Sequence, residues 1–438
     1  MSADPPGPKG VPLLGNTGQY ARDPFRFMTA VGEAYGDLAR LELAGEPTFM
    51  LTNPADIETV LVGDGDSFVK PEFGGDDAVE NLLGNGLLTS EGEFWRDQRR
   101  LAGQAFDPNR ISDLAGMMVE HTESMVERWE PGEPIDVRTE LAKVTVRIIV
   151  NAMFGTDVDR ETTERVQAAL EPLGERFEPD PLRFLTPNWL PTAENRSFGE
   201  SVRTLEGVLD DIVAERRAAG YAEGDDLLSV LLRAQDRGEQ ADSTLRDEMM
   251  TMLLAGHDTT ALTLTYTYYL LGKHSEAKAR LHEEVDAVDG RPTAADAMGF
   301  EYTSNVLNEA MRLYPPVYVL FRSPTRDVEF GGYHVPEGAF LMLPQWVVHR
   351  SERYWEDPLA FDPDRWDRRE RHRFAFFPFG GGKRICIGKQ FSLLESKLIL
   401  ATVARHYDLE LVDDGELTLR PTLTMHPADP VEVVPRPR

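Results

Sequence analysis

The only cysteine of the chain, Cys386, lies in Phe379-Gly380-Gly381-Gly382-Lys383-Arg384-Ile385-Cys386-Ile387-Gly388, after a glycine-rich loop and just before a helical pattern over Lys389 to Arg405. The first turn of a helix offers free N–H groups and partial positive charge, so a thiolate is favoured there and could ligate a metal ion. Gly382 and Gly388 would permit backbone conformations and the close approach of a flat ligand that a side chain would block. Arg384 could then pair with a carboxylate on that ligand. The competing reading of a lone cysteine is a small buried hydrophobe. One cysteine excludes an internal disulfide and any all-cysteine zinc or iron–sulfur site.

A second cluster is Ala255-Gly256-His257-Asp258-Thr259-Thr260. Thr244-Leu245-Arg246-Asp247 reads as a helix start, and no proline follows until past Lys273, so one helix of about 30 residues, roughly 45 Å long, is expected. Small and hydroxyl-bearing residues in its middle could open the backbone ladder and admit a small ligand. The alternative is a helix–helix crossing at Gly256, with Asp258 and the threonines merely solvated. Glu309 and Arg312 share a helix face, as do Trp95 and Arg99.

The cysteine segment resembles the haem loop of cytochrome P450s, Phe-x-x-Gly-x-Arg-x-Cys-x-Gly, at every defined position. The resemblance implies Cys386 as the ligand to the iron of haem b, Phe379 packed on the proximal side and Arg384 on a haem propionate. The helix cluster is similar to the family's oxygen-binding groove, Ala/Gly-Gly-x-Asp/Glu-Thr-Thr/Ser. Thr259 is then the alcohol that hydrogen-bonds the oxygen molecule and Asp258 a proton relay, with His257 a polar neighbour. Glu309-x-x-Arg312, completed by Arg365, implies a structural trio. Trp95-x-x-x-Arg99 and Arg322 imply further propionate contacts.

By position, the substrate pocket would be lined by Phe73, Leu82, Leu83, Leu87, Leu88, Leu254, Ala255, Val317, Val319, Leu320, Leu423 and Met425, an apolar set suited to a hydrophobic guest. Motif texture resembles the soluble bacterial fatty-acid hydroxylases, implying a lipid-like or isoprenoid substrate. The implied reaction inserts one oxygen atom of O2 into that substrate. With no nucleotide fingerprint and too few cysteines for a cluster, the electrons would come from a separate ferredoxin or flavodoxin-type donor, docking on Arg99, Arg100, Lys383 and Lys389. A peroxide-driven or isomerising relative is disfavoured by the Asp258-Thr259 pair. A haem-based sensor or carrier is the reading from another class.

These residues need elements to place them. Apolar spacing is helical from about Asn53 to Ala310, interrupted at Phe73 to Gly86, Glu178 to Thr192 and Gly220 to Asp226. Short strand-like runs at Leu38 to Leu43 and Thr48 to Thr52 flank Gly45, others follow Arg312 at Val328 to Phe330, Tyr333 to Val335 and Ala339 to Leu343, and a last hairpin is expected near Pro421 to Val434. The expected fold is mainly α with a small β region (α+β): the P450 fold, with a long central helix over the haem and hairpins at both ends. One domain spanning residues 1–438, with residues 1–16 a proline- and glycine-rich arm, and a monomer are expected.

No signal peptide or apolar run of membrane-spanning length is readable, which implies a cytoplasmic protein without a transmembrane anchor. A net charge of -29 opposes nucleic-acid binding. Only eight of the 46 basic residues are lysine, and the acidic excess is spread along the chain. Such a charge strains a compact state unless salt screens it, so adaptation to high salt is our hypothesis. Dialysis into dilute buffer should lower the unfolding midpoint and release the cofactor; unchanged stability and retention would refute salt adaptation.

Overall fold

The computed structural model describes residues 4–12, 14–63, 67–71, 77–179, 190, 192–368 and 371–438. Its centre is the helix Asp242–Lys273, 32 residues long and packed most extensively against the helix Val137–Phe154. The long helix starts two residues before the expected Thr244, and its N-cap, Ala241, supplies no side-chain bond. Val137–Phe154 is better punctuated: the Asp136 carboxylate accepts from Arg138 N–H, and Gly155 ends it in the left-handed region at φ 66°.

The two helices meet at Gly256, where a Cβ would come within 2.7 Å of Ile149 Cδ1. The long helix stays α-helical through the whole cluster. Thr259, Thr263, Thr265 and Thr267 donate to carbonyls four residues back. Those carbonyls also remain in the helix, so the expected opening of the ladder is replaced by shared acceptors and a close crossing.

The largest sheet has the order Leu38–Leu43, Glu46–Leu51, Phe340–Leu343, Leu320–Pro324, Phe68–Val69, with only the second and third strands parallel. Ala44 and Gly45, both at positive φ (54° and 83°), make the tight turn of the first hairpin. Alternation sends Leu38, Phe49 and Leu51 into one core cluster and Ala39, Leu41 and Met50 into another. The N-terminal arm covers the open edge, with Arg40 N–H donating to Pro6 O (2.8 Å) and Asn16 N–H to Glu42 O (2.7 Å).

At the C-terminal end the expected hairpin is split. Leu419–Pro421 pairs with Met425–Pro427, whereas Glu432–Pro437 pairs with Tyr407–Leu411 and Ile135–Asp136. Pro427 and Pro430 lack the N–H groups that would have continued the first ladder. The architecture is mainly α with small sheets, as expected.

Between the helix Glu301–Leu313 and the segment leading to Cys386, Glu309 and Arg312 are fully buried. Glu309 accepts two bonds from Arg312 (2.7 and 2.9 Å), one from Arg365 Nε (2.8 Å), one from Trp366 Nε1 (3.0 Å) and one from Asp362 N–H (3.1 Å). A buried carboxylate so satisfied is costly to strand. Arg312→Leu should lower the unfolding free energy by about 3–5 kcal/mol, read from denaturant midpoints; a loss below about 1 kcal/mol would show that the trio is not the anchor described.

Candidate active site

The cysteine loop is fixed mainly through its backbone. Cys386 N–H donates to Phe379 O (3.0 Å), and Arg99 Nη2 donates to Ile385 O (2.8 Å). Gly382 sits at φ 63°, where a Cβ would fall 2.0 Å from Leu61 O. Within the protein, the approach that demands glycine at 382 is to the Thr59–Gly63 segment. Gly388 is the N-cap of the helix Lys389–His406, and a Cβ there would make ordinary contacts at 3.8 Å or more. The half-buried Phe379 ring lies beneath Lys389 Nζ, 5.7 Å from its centroid.

Burial pushes the Cys386 thiol up, against the pull of Gly388 and Lys389 N–H groups and the charges of Arg99 and Lys389. The residue nevertheless keeps exposed surface. Cations gather nearby. Burial first, then the Arg384 charge, depresses Lys70 to about 7 and Arg322 to about 10. Glu91 is the counter-charge: it is ion-paired with Arg384 and accepts the Lys70 backbone N–H (2.9 Å). Arg384 lies 4.1 Å from the centroid of the buried Trp95 ring, and its Nε is buried without a hydrogen-bond partner. Three cations around one carboxylate call for a further anion. Lys70 Nζ donates to Leu87 O and Ser90 O (both 3.2 Å), Arg322 Nη1 to Phe321 O (2.7 Å), and Arg99 is tied to the loop, leaving the bare Arg384 Nε best placed for it. Sequence reasoning missed Lys70 and Glu91, which carry no motif.

On the long helix Thr259 Oγ1 donates to Ala255 O (3.1 Å). His257 is buried, with Nδ1 2.7 Å from Leu253 O. The Asp258 carboxylate accepts from Thr424 Oγ1 (2.6 Å) and lies 3.2 Å from His426 Nε2. Burial opposes its ionisation, but the charge and hydrogen bond of His426, helped by His257 and Thr424, hold it well below the usual carboxylate range. Thr424 and His426 were also missed.

Of the expected pocket residues, Ala255, Leu88 (46% exposed) and Leu423 (51%) retain most surface, and Leu254, Val317, Val319 and Leu320 are half-buried. The C-terminal hairpin brings Leu423 beside the segment after Leu313, through Met425 N–H to Pro316 O (2.8 Å) and Tyr318 OH to Thr422 O (3.2 Å). Met425 itself is fully buried among Phe25, Met28 and Tyr266, and Leu82, Leu83 and Leu87 are packed in the main core. Those four are wrapped by protein and offer a guest almost no surface, a correction: the hairpin turns Leu423 outward and Met425 inward. Phe73 lies outside the described residues.

The family profile described as Cytochrome P450 matches residues 5–433. The chain belongs to the cytochrome P450 family. Cyclooctatin synthase of Streptomyces melanosporofaciens is 35% identical over 98% of this chain and 95% of its own. Cyclooctat-9-en-7-ol 5-monooxygenase of the same organism is 34% identical (92% and 89% covered). Pentalenene oxygenase of Streptomyces avermitilis is 32% identical (94% and 92%). This P450 is accordingly an oxidoreductase, and its family binds haem. The residues fit that group. Among the described residues no set of three or more His, Cys, Asp or Glu could cage a metal, so an iron brought by its own macrocycle, with one sulfur ligand, matches the donors present. The bare Arg384 Nε and the surplus cations match its acidic side chains.

One buried acid of this P450 borders the cation cluster. Glu248, 1% exposed, accepts Leu87 N–H (3.2 Å) through Oε2, while Oε1 has no partner. Burial raises it to about 7, despite the Leu87 bond. A carboxyl raised on folding contributes stability below its unfolded value, near 4.3, that is lost as pH rises through about 7. Glu248→Gln should flatten this fall and stabilise the protein at pH 8 by on the order of 2 kcal/mol; parallel stability–pH curves for variant and parent would refute the assignment.

Proposed function

We propose that this P450 is a haem b monooxygenase that inserts one oxygen atom of O2 into a C–H or C=C bond of an isoprenoid hydrocarbon or alcohol. It would act as a cytoplasmic, monomeric, single haem domain over residues 1–438, fed by a separate ferredoxin or flavodoxin-type donor. The observation that carries the reading is the lone thiol at a helix N-terminus beside half-buried cations, among them the unpartnered Nε of Arg384. Bound haem would supply the redox chemistry of dioxygen activation.

The chain's own residues do the rest. Cys386 would hold the iron, and Arg384, Lys70 and Arg322 the propionates. Thr259 presents a hydroxyl whose proton is already directed at Ala255 O, so it can accept a hydrogen bond on its free side. Asp258, one residue earlier, offers a carboxylate to receive and pass on protons. The partly open Leu88, Leu254, Ala255, Val317, Val319, Leu320 and Leu423 give an apolar surface that favours a hydrocarbon guest and excludes water. Two relatives are named for cyclooctat-9-en-7-ol and pentalenene, which supports the isoprenoid side of the substrate reading. Exposed Arg100 and Lys383 beside the loop support docking of an acidic donor.

A carbon monoxide difference spectrum of the reduced protein in high salt should show the strongly red-shifted Soret band of thiolate-ligated haem, and Cys386→Ala should abolish it. With a surrogate reductase, polycyclic isoprenoids should be hydroxylated in preference to fatty acids. An imidazole-type spectrum unaffected by the mutation would overturn the ligand, and product from fatty acids alone would overturn the substrate class. Ligand binding without turnover of any substrate would favour the sensor reading.

A further inference from the structure

Thr424 Oγ1 stands between two titratable groups, 2.6 Å from Asp258 Oδ2 and 2.9 Å from His426 Nε2, while the two groups are themselves 3.2 Å apart. The cluster joins the long helix to the hairpin strand Met425–Pro427 across 166 residues of sequence. We propose that His426 is the positioning residue of the proton relay: its imidazolium holds the Asp258 carboxylate ionised and turned toward the hairpin, and its deprotonation releases that carboxylate toward Thr259. This deepens the monooxygenase reading and rests on it.

The chemistry is proton transfer alone. The imidazolium loses its Nε2 proton to the Asp258 carboxylate, Asp258 passes a proton toward the Thr259 side, and His426, 15% exposed, is reprotonated by solvent water. No electrons move. The other charged groups facing the pair do not replace His426. His257 is buried, and burial pushes it down, toward the neutral form. Tyr266 is held in its neutral form and donates to Met425 O (2.7 Å). Arg420, cross-strand from His426, is paired with Glu178 and Glu175, and Arg138 acts only at the distance of Tyr266. Asp258 is held well below the usual carboxylate range and so faces the imidazole as an anion.

A partner that binds as a cation contributes below its titration and is lost above it. In a double-mutant cycle of Asp258→Asn and His426→Gln, followed by denaturant unfolding of the holoprotein, the unfolding constants should be non-additive by about tenfold at pH 6 and by less than twofold at pH 8.5. In turnover, His426→Gln should change the pH profile of coupling, the share of reducing equivalents recovered as product, while His426→Lys should keep the pH 6 value and remove the pH dependence. Additive constants at pH 6, or a His426→Gln coupling profile superimposable on the parent's, would overturn the proposal. If coupling in the cycle is found but no substrate is turned over, the positioning contact stands and the monooxygenase reading fails.

Discussion

A thiolate at Cys386 would be expensive, because the surrounding protein opposes its charge, and several groups near that one atom offset the cost. The protein alone does not complete the task. Two N–H groups of a helix N-terminus and the charges of Arg99 and Lys389 still leave the Cys386 thiol raised by burial. The iron of the proposed haem would close the deficit. The same logic runs in reverse for the cations nearby, where Lys70, Arg322 and Arg384 share a single carboxylate, Glu91. A ligand that brings a metal and acidic groups would compensate sulfur and cations together.

Holding that arrangement requires rigidity, which reaches the loop from a distance. Arg312 bonds Glu309 on one side and His349 O (2.9 Å) on the other. Burial, with the Arg312 charge, pushes His349 down to about 3, so its imidazole stays neutral and Nε2 can accept Phe377 N–H (3.0 Å). Two residues later Phe379 O receives Cys386 N–H. The buried trio thus steadies the thiol through backbone bonds, without lying near the chemistry.

What was legible in the sequence was what chain spacing determines. The cysteine loop, the Glu309-x-x-Arg312 turn and the small-residue cluster are short patterns whose geometry follows from helix period and glycine conformation. Arg365 was reached only through family resemblance, because 56 residues separate it from Glu309. Glu91, 293 residues from Arg384, and Thr424, 166 from Asp258, gave no local signal, since only the closed fold brings them together. Four of the expected pocket residues are buried for a related reason. Apolar residues such as Met425 and Leu423 look alike in sequence, but Leu423 lies in the exposed turn between the two strands and Met425 begins the strand that packs into the core.

The cluster on the long helix shows why its residue types sit so close together. Gly256 is required by Ile149, which crosses too near for a Cβ. His257 turns into the core and satisfies Nδ1 on Leu253 O. Asp258 is claimed by the hairpin, and Thr260 lies 3.0 Å from Ser392 on the helix behind Cys386. Ala255, which is exposed, and the half-buried Thr259 are four residues apart and therefore on one face. A helix interior made of these residues is poor by propensity, so packing on several sides must hold it. The segment proposed to do the chemistry is therefore placed by the crossings that surround it, and a change to any one neighbour would be felt at Thr259 through the turn they share.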